Sequence, residues 1–93
     1  SKAMEYVTIY DGRNPQMPTR RRYDWPAAGI IEACNEAAKS RDQIRAALSE
    51  AKRDMACSED ELTEALGILT SRRVLYEERG KYFTLAIPEH PYY

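Results

Sequence analysis

From Ser58 to Pro88 the sequence describes a capped helix running directly into a two-stranded hairpin, an order that leaves few folds open. Ser58-Glu59-Asp60-Glu61 is a capping box, in which the Ser58 hydroxyl accepts from the Glu61 backbone N–H and the Glu61 carboxylate accepts from the N–H of Ser58. Behind it Leu62, Ala65, Leu66 and Leu69 recur on one helical face. The spacing predicts a helix from Ser58 to about Arg72 with an apolar side that another element must cover. Val74 to Glu78 and Lys81 to Ile87 supply strand-forming residues on either side of Arg79-Gly80, where Gly80 can take the positive φ of a tight hairpin. A helix followed by such a hairpin is the back half of a winged helix.

Towards the front, Glu5 to Tyr10 alternates in polarity and is rich in β-branched and aromatic residues, which predicts a strand. Asp11-Gly12-Arg13-Asn14-Pro15 breaks it, and the loop runs through Pro18 to a second short strand at Thr19 to Tyr23. Pro26 is tolerated in a first helical turn, so a helix is expected from Pro26 to about Lys39. It carries Ile30, Ile31, Cys34, Ala37 and Ala38 on one face, and the small residues Ala27, Ala28, Gly29 and Ala33 let neighbours approach closely. Ser40-Arg41-Asp42-Gln43 is a second capping box, with Ile44, Leu48 and Ala51 as the stripe of a helix reaching Lys52. The link through Arg53 to Cys57 offers Met55 as a plug into the core.

The expected fold class is therefore α+β: a winged helix-turn-helix with an N-terminal strand or strand pair, three helices and a C-terminal β-hairpin wing. It occupies residues 5–88. Residues 1–4 are set aside as an artificial leader remnant and 89–93 as a tail without pattern. The expected core is Val7, Ile9, Ile30, Ile31, Cys34, Ile44, Leu48, Met55, Leu62, Leu66, Leu69, Leu75, Phe83 and Leu85.

Ninety-three residues, 43% hydrophobic and 31% charged, close one core and contain no run of about 18 apolar residues that would span a membrane. No charged start followed by an apolar stretch marks a secretory signal, and two cysteines do not make a disulfide framework. A cytoplasmic setting is expected.

Residues for catalysis or metal binding are scarce. Cys34 and Cys57 stand far apart without a Cys-x-x-Cys clip and read as small apolar residues, while His90 lies in a Pro-flanked tail. No Ser/His/Asp set and no phosphate-cradling glycine loop is present, and Glu59, Asp60 and Glu61 answer the need of a helix N-terminus for negative charge. No catalytic residue, metal ligand or cofactor is expected in this segment.

A winged helix invites a test for DNA binding. With Leu62, Ala65, Leu66 and Leu69 inward, the third helix turns Asp60, Glu61, Thr63, Glu64, Gly67 and Ile68 outward before its first cation at Arg72. Duplex DNA is bound by neutralising its phosphates with Lys and Arg, and here the formal net charge is −1. Arg20-Arg21-Arg22 is the one concentrated basic run; it fits a solvated edge strand that discourages self-pairing, and a phosphate contact there stays open.

Ile9-Tyr10-Asp11-Gly12-Arg13, then Arg22-Tyr23-Asp24 leading into Ala27-Ala28-Gly29-Ile30-Ile31, and the close Lys81 to Pro88 together resemble the C-terminal domain of radical SAM enzymes that mature ribosomally made peptides. The layout is also similar to small precursor-peptide recognition domains. The resemblance implies a non-catalytic appendage and a chain that is a fragment. The parent would carry a Cys-x-x-x-Cys-x-x-Cys motif for a 4Fe-4S cluster, use S-adenosylmethionine and often cobalamin, and hold all of these upstream of this segment.

Three functions remain open. The favoured one is a peptide- or protein-interaction domain binding a precursor peptide or the parent's upstream domains. Such a partner would add to the first strand near Tyr6, Thr8 and Tyr10 and meet the face of the third helix at Glu64, Ile68 and Arg72. The alternative is a winged-helix DNA-binding transcription regulator using Arg20, Arg21, Arg22, Arg73, Arg79 and Lys81, against which the acidic helix speaks. The third is a structural packing module with no ligand of its own.

Overall fold

Alternation in the N-terminal strands and two capping boxes divide the chain into its elements. The computed structural model describes residues 6–11, 19–53, 57–85 and 87–89. In chain order these form β1 (Tyr6–Asp11), β2 (Thr19–Asp24), α1 (Ala27–Glu36), β3 (Lys39–Ser40), α2 (Arg41–Ala51), α3 (Glu59–Ser71), β4 (Leu75–Glu78), β5 (Lys81–Thr84) and β6 (Ile87–Glu89). The strands make two three-stranded antiparallel sheets, ordered β2-β1-β6 and β3-β5-β4. The fold is α+β, with three helices among the described residues.

Both capping boxes form. Ser40 accepts from the Gln43 N–H at 3.2 Å while the Gln43 side chain accepts from the Ser40 N–H at 2.8 Å, and Ser58 and Glu61 repeat the exchange at 3.2 and 3.0 Å. A capping residue of this kind contributes about 1 kcal/mol to its helix. The exit of α3 is equally defined: the Arg73 N–H donates to the Thr70 carbonyl and the Val74 N–H to the Leu69 carbonyl, with Arg73 at φ 61°. This is a Schellman close, and buried Leu69 and Val74 make its usual apolar partners. The β4–β5 turn holds both Arg79 (φ 55°) and Gly80 (φ 80°) in the left-handed region, as a two-residue hairpin of the primed type requires. The Gly80 N–H donates to the Glu77 carboxylate at 2.8 Å.

The three helices meet on a core in which Ile30, Ile31, Ile44, Leu48, Leu62, Leu69 and Leu75 are fully buried. Each such side chain stabilises the fold by roughly 1.5–3 kcal/mol relative to exposure. Cys34 and Leu66 join them, as do Tyr23 and Val74, which periodicity does not single out.

Several expectations are corrected. α1 ends at Glu36 rather than Lys39, and Ala37 and Ala38 are exposed rather than on the apolar face. Ala37 turns to extended backbone (φ −167°, ψ 157°) because Lys39 and Ser40 are drawn into β3, opposite Tyr82 and Lys81 of β5. Lys39 then reaches back to donate to the Ala33 carbonyl at 2.8 Å, capping the helix it has left. The last strand does not run from Lys81 to Ile87. β5 stops at Thr84, Leu85 is 74% exposed rather than in the core, and Ile87–Glu89 crosses to pair with β1. Phe83 is half-buried, stacked on Tyr76 with centroids 5.7 Å apart, and does not belong to the core cluster. Residues 1–4, Met55 and the tail from His90 to Tyr93 lie outside the described residues, as do the side chains of Val7 and Ile9.

Candidate interaction cleft

α3 has two flanks beside its buried stripe. The flank towards α2 is closed by charge: the Arg41 guanidinium donates to Glu59 Oε1 at 2.7 Å, to the Glu59 carbonyl at 3.3 Å and to the Thr63 hydroxyl. Arg45 donates to Glu59 Oε2 at 2.5 Å. The bond from Arg41, with the positive charge of both arginines, holds the Glu59 carboxyl below its ordinary range.

The flank towards the β2–α1 junction is open. Here a cleft of about 220 Å³ lies between Tyr23, Asp24 and Trp25 on one side and Glu61, Glu64 and Ile68 on the other, with Ala65 and Leu69 beneath. Alternation along β2 turns Arg22 and Asp24 outward and Tyr23 inward. Tyr23 is 7% exposed, and its hydroxyl is buried without a hydrogen-bond partner among the described residues. Trp25 is half-buried because α1 has a glycine beneath it: a Cβ on Gly29 would stand 2.5 Å from Trp25 Cζ3 and 2.7 Å from Leu48 Cδ2. The Lys52 ammonium sits 5.6 Å from the centre of the indole.

Glu61 is committed to its capping box, and its carboxyl is held low by the Ser58 backbone N–H and then the Ser58 hydroxyl. Asp24 pairs with Arg22 at 3.5 Å, both well exposed, a contact worth little in water. Glu64 is exposed and has no ion-pair partner among the described residues. Ile68 is 45% exposed, a large apolar side chain standing in solvent beside two carboxylates.

Of the residues anticipated for a peptide, Glu64 and Ile68 come together on this cleft. Arg72 is exposed at the C-cap of α3 and does not line it. Thr8 is half-buried on β1, and the side chains of Tyr6 and Tyr10 lie outside the described residues. The expectation that a peptide adds to β1 is corrected: β1 is the central strand, bonded to β2 along its length and to β6 at Thr8–Tyr10. The sheet edges are β2 and β6. Arg20, Arg21 and Arg22 do fall on an edge strand; Arg22 is exposed, and the other two side chains lie outside the described residues. Arg73, Arg79 and Lys81 are exposed at three separate places, the helix exit, the hairpin turn and the start of β5.

Tyr23 and Trp25 were missed as cleft residues. An inward aromatic within an arginine run, followed at once by Trp-Pro, was the available signal.

Cys34 and Cys57 are free and buried. Burial pushes the Cys34 thiol up to about 11 against the opposing charge of Lys39, and burial also raises that of Cys57, so neither is a ready thiolate. Among the described residues no three His, Cys, Asp or Glu side chains gather to hold a metal, and no helix is long and apolar enough to cross a membrane. No protein-family model matches the chain, and neither does any curated protein or solved structure.

Proposed function

We propose that this domain is a winged-helix interaction module that docks a peptide or protein segment in the cleft between the β2–α1 junction and α3. In this reading it is a C-terminal piece of a radical SAM peptide-maturation enzyme, whose partner is a precursor peptide or an upstream domain. The carrying observation is the open flank of α3, where Ile68 and Glu64, which has no ion-pair partner among the described residues, face Tyr23 and Trp25. An exposed apolar side chain beside unmet polar groups suits a surface completed by a partner. The winged-helix assignment is supported by element order, since α1, β3, α2, α3 and the β4–β5 hairpin follow one another and β3 pairs with β5. By the same resemblance, the parent would hold a 4Fe-4S cluster, S-adenosylmethionine and cobalamin upstream of this segment.

The same face argues against a DNA regulator. Asp60, Glu61 and Glu64 are exposed on α3, where a recognition helix would meet phosphate. The test is an NMR titration of the labelled domain with the precursor peptide of the parent's gene cluster and, separately, with a mixed-sequence DNA duplex at about 0.15 M salt. Shifts at Trp25, Glu64 and Ile68 with peptide alone are expected. Shifts with DNA at Arg22 and the β4–β5 hairpin, and none with peptide, would transfer the assignment to the regulator; silence in both would leave a packing module.

A further inference from the structure

We infer that the outer edge of β4 pairs antiparallel with β4 of a second copy of this chain, joining the sheets of the two copies across a two-fold axis at Tyr76. The inference goes beyond the cleft reading and does not rest on it, since none of the residues lining the cleft lies on β4.

Among the described residues β4 is an edge strand, with β5 on its inner side. The hairpin turn has two residues, so Glu78 and Lys81 form the hydrogen-bonded pair that closes it and the backbone groups alternate in direction from there. Tyr76 therefore bonds to β5, whereas the N–H and C=O groups of Leu75 and Glu77 point to the outer side. Pairing stops at Leu75, because the Val74 N–H donates to the Leu69 carbonyl and the Val74 carbonyl accepts from the Thr84 hydroxyl. Within these bounds one register uses every outward group: Tyr76 stands opposite the second copy's Tyr76, and Leu75 and Glu77 exchange bonds across the axis.

Charge singles out a second copy as the occupant. From Arg72 to Glu78 the sequence reads Arg-Arg-Val-Leu-Tyr-Glu-Glu, basic at one end and acidic at the other. Antiparallel pairing lays each end against its opposite: Glu78 falls across from the second copy's Val74, beside the helix exit that carries Arg72 and Arg73. The charged side chains at both ends are exposed, and Arg72, Arg73 and Glu78 have no ion-pair partner among the described residues. β2, the long edge of the other sheet, has the contrary pattern. Its Arg20, Arg21 and Arg22 share one sign, so self-pairing there would set like charges together. On the outer face of β4 the same register makes the two Tyr76 residues a non-hydrogen-bonded cross-strand pair, the kind in which side chains approach most closely, and it extends the Tyr76–Phe83 stack across the axis. The paired stretch is short, so the dimer is a weak one that forms at high concentration.

Sedimentation equilibrium of the full chain from about 10 μM to about 1 mM tests the pairing, and the weight-average mass should rise towards that of a dimer at the top of the range. Amide exchange at Leu75 and Glu77 should slow over the same range. Arg72→Glu and Glu78→Arg, both exposed changes, each set like charges together at both ends of the pair and should each weaken self-association about tenfold. An equimolar mixture of the two variants lets every reversed charge meet its opposite and should restore association to the wild-type level. That recovery also shows that both variants are folded. A wild-type chain that stays monomeric throughout the range, variants that associate as wild type does, a mixture that recovers nothing, or masses that climb beyond a dimer would each overturn the inference; the cleft reading stands or falls separately on the precursor-peptide titration.

Discussion

Where α3 meets α2, Glu59 is held by Arg41 and Arg45 at 2.7 and 2.5 Å and Thr63 completes the cluster; where it meets the β2–α1 junction, neither Glu64 nor the buried Tyr23 hydroxyl has a polar partner among the described residues. The two flanks belong to one helix and one acidic run. What separates them is whether neighbouring elements answer the polar groups. On the first flank two arginines from the opening turns of α2 do so. On the second, the facing residues are aromatic and carboxylate. Net charge alone, −1 over the chain, would not distinguish a closed acidic patch from an open one.

The sharpest way to break the comparison is to remove what both flanks share. Leu66 is 3% exposed in the buried stripe of α3, and Leu66→Ala should cost roughly 2–5 kcal/mol in urea denaturation. Both flanks should fail together; a midpoint close to wild type would mean that α3 is seated elsewhere. A smaller and one-sided effect is expected of Gly29→Ala. The added methyl meets Trp25 and Leu48 well inside contact distance, so it should cost about 1–3 kcal/mol and displace the indole, shifting its fluorescence. The Arg41–Glu59–Arg45 cluster should persist, and unchanged fluorescence together with unchanged stability would show that Trp25 is not packed over α1.

The smallest effect is a pH dependence confined to the closed flank. The Glu59 carboxyl is held below its ordinary value of 4.5, chiefly by the bond from Arg41. Its contribution is fully present above about pH 4.5 and is lost as pH falls through the lower folded-state value. Thermal melts from pH 6 to pH 3 should therefore show part of the acid loss disappearing in Glu59→Gln. Because the group is solvent-exposed, the difference should be slight and should shrink in added salt. An identical acid limb in the variant would assign the whole of it to other carboxylates, Glu61 among them.

Much of the helical half was legible. Two capping boxes fixed where α2 and α3 begin and the i, i+3, i+4 stripe placed their ends to within a residue or two, because those signals are local and chemical. The front helix was read too long because Ala37 and Ala38 are good helix formers, and what stops α1 there is distant: a two-residue strand that exists only when β5 is beside it. Leu85 was assigned to the core by alternation, which fails when a strand leaves one sheet and its continuation enters another. At the cleft, Glu64 and Ile68 were visible as outward residues of a helix. Their opposite wall was not, since nothing in the local pattern of Tyr23 and Trp25 says which helix they will face.

The pairing of β1 with β6 has a consequence for the order of assembly. Thr8 lies opposite Glu89, so this contact closes a loop of about 80 residues, whereas β4 and β5 are joined by a two-residue turn. By loop-closure entropy, ends that far apart are about 2 kcal/mol harder to bring together than those of a ten-residue loop. The three-residue β6 repays this with few bonds of its own. Its seam with β1 therefore forms late and opens early. Amide hydrogens along it should exchange before those of α2 or the β4–β5 hairpin, which gives the domain a slow clasp at one sheet while the wall of the cleft on α3 stays closed-packed.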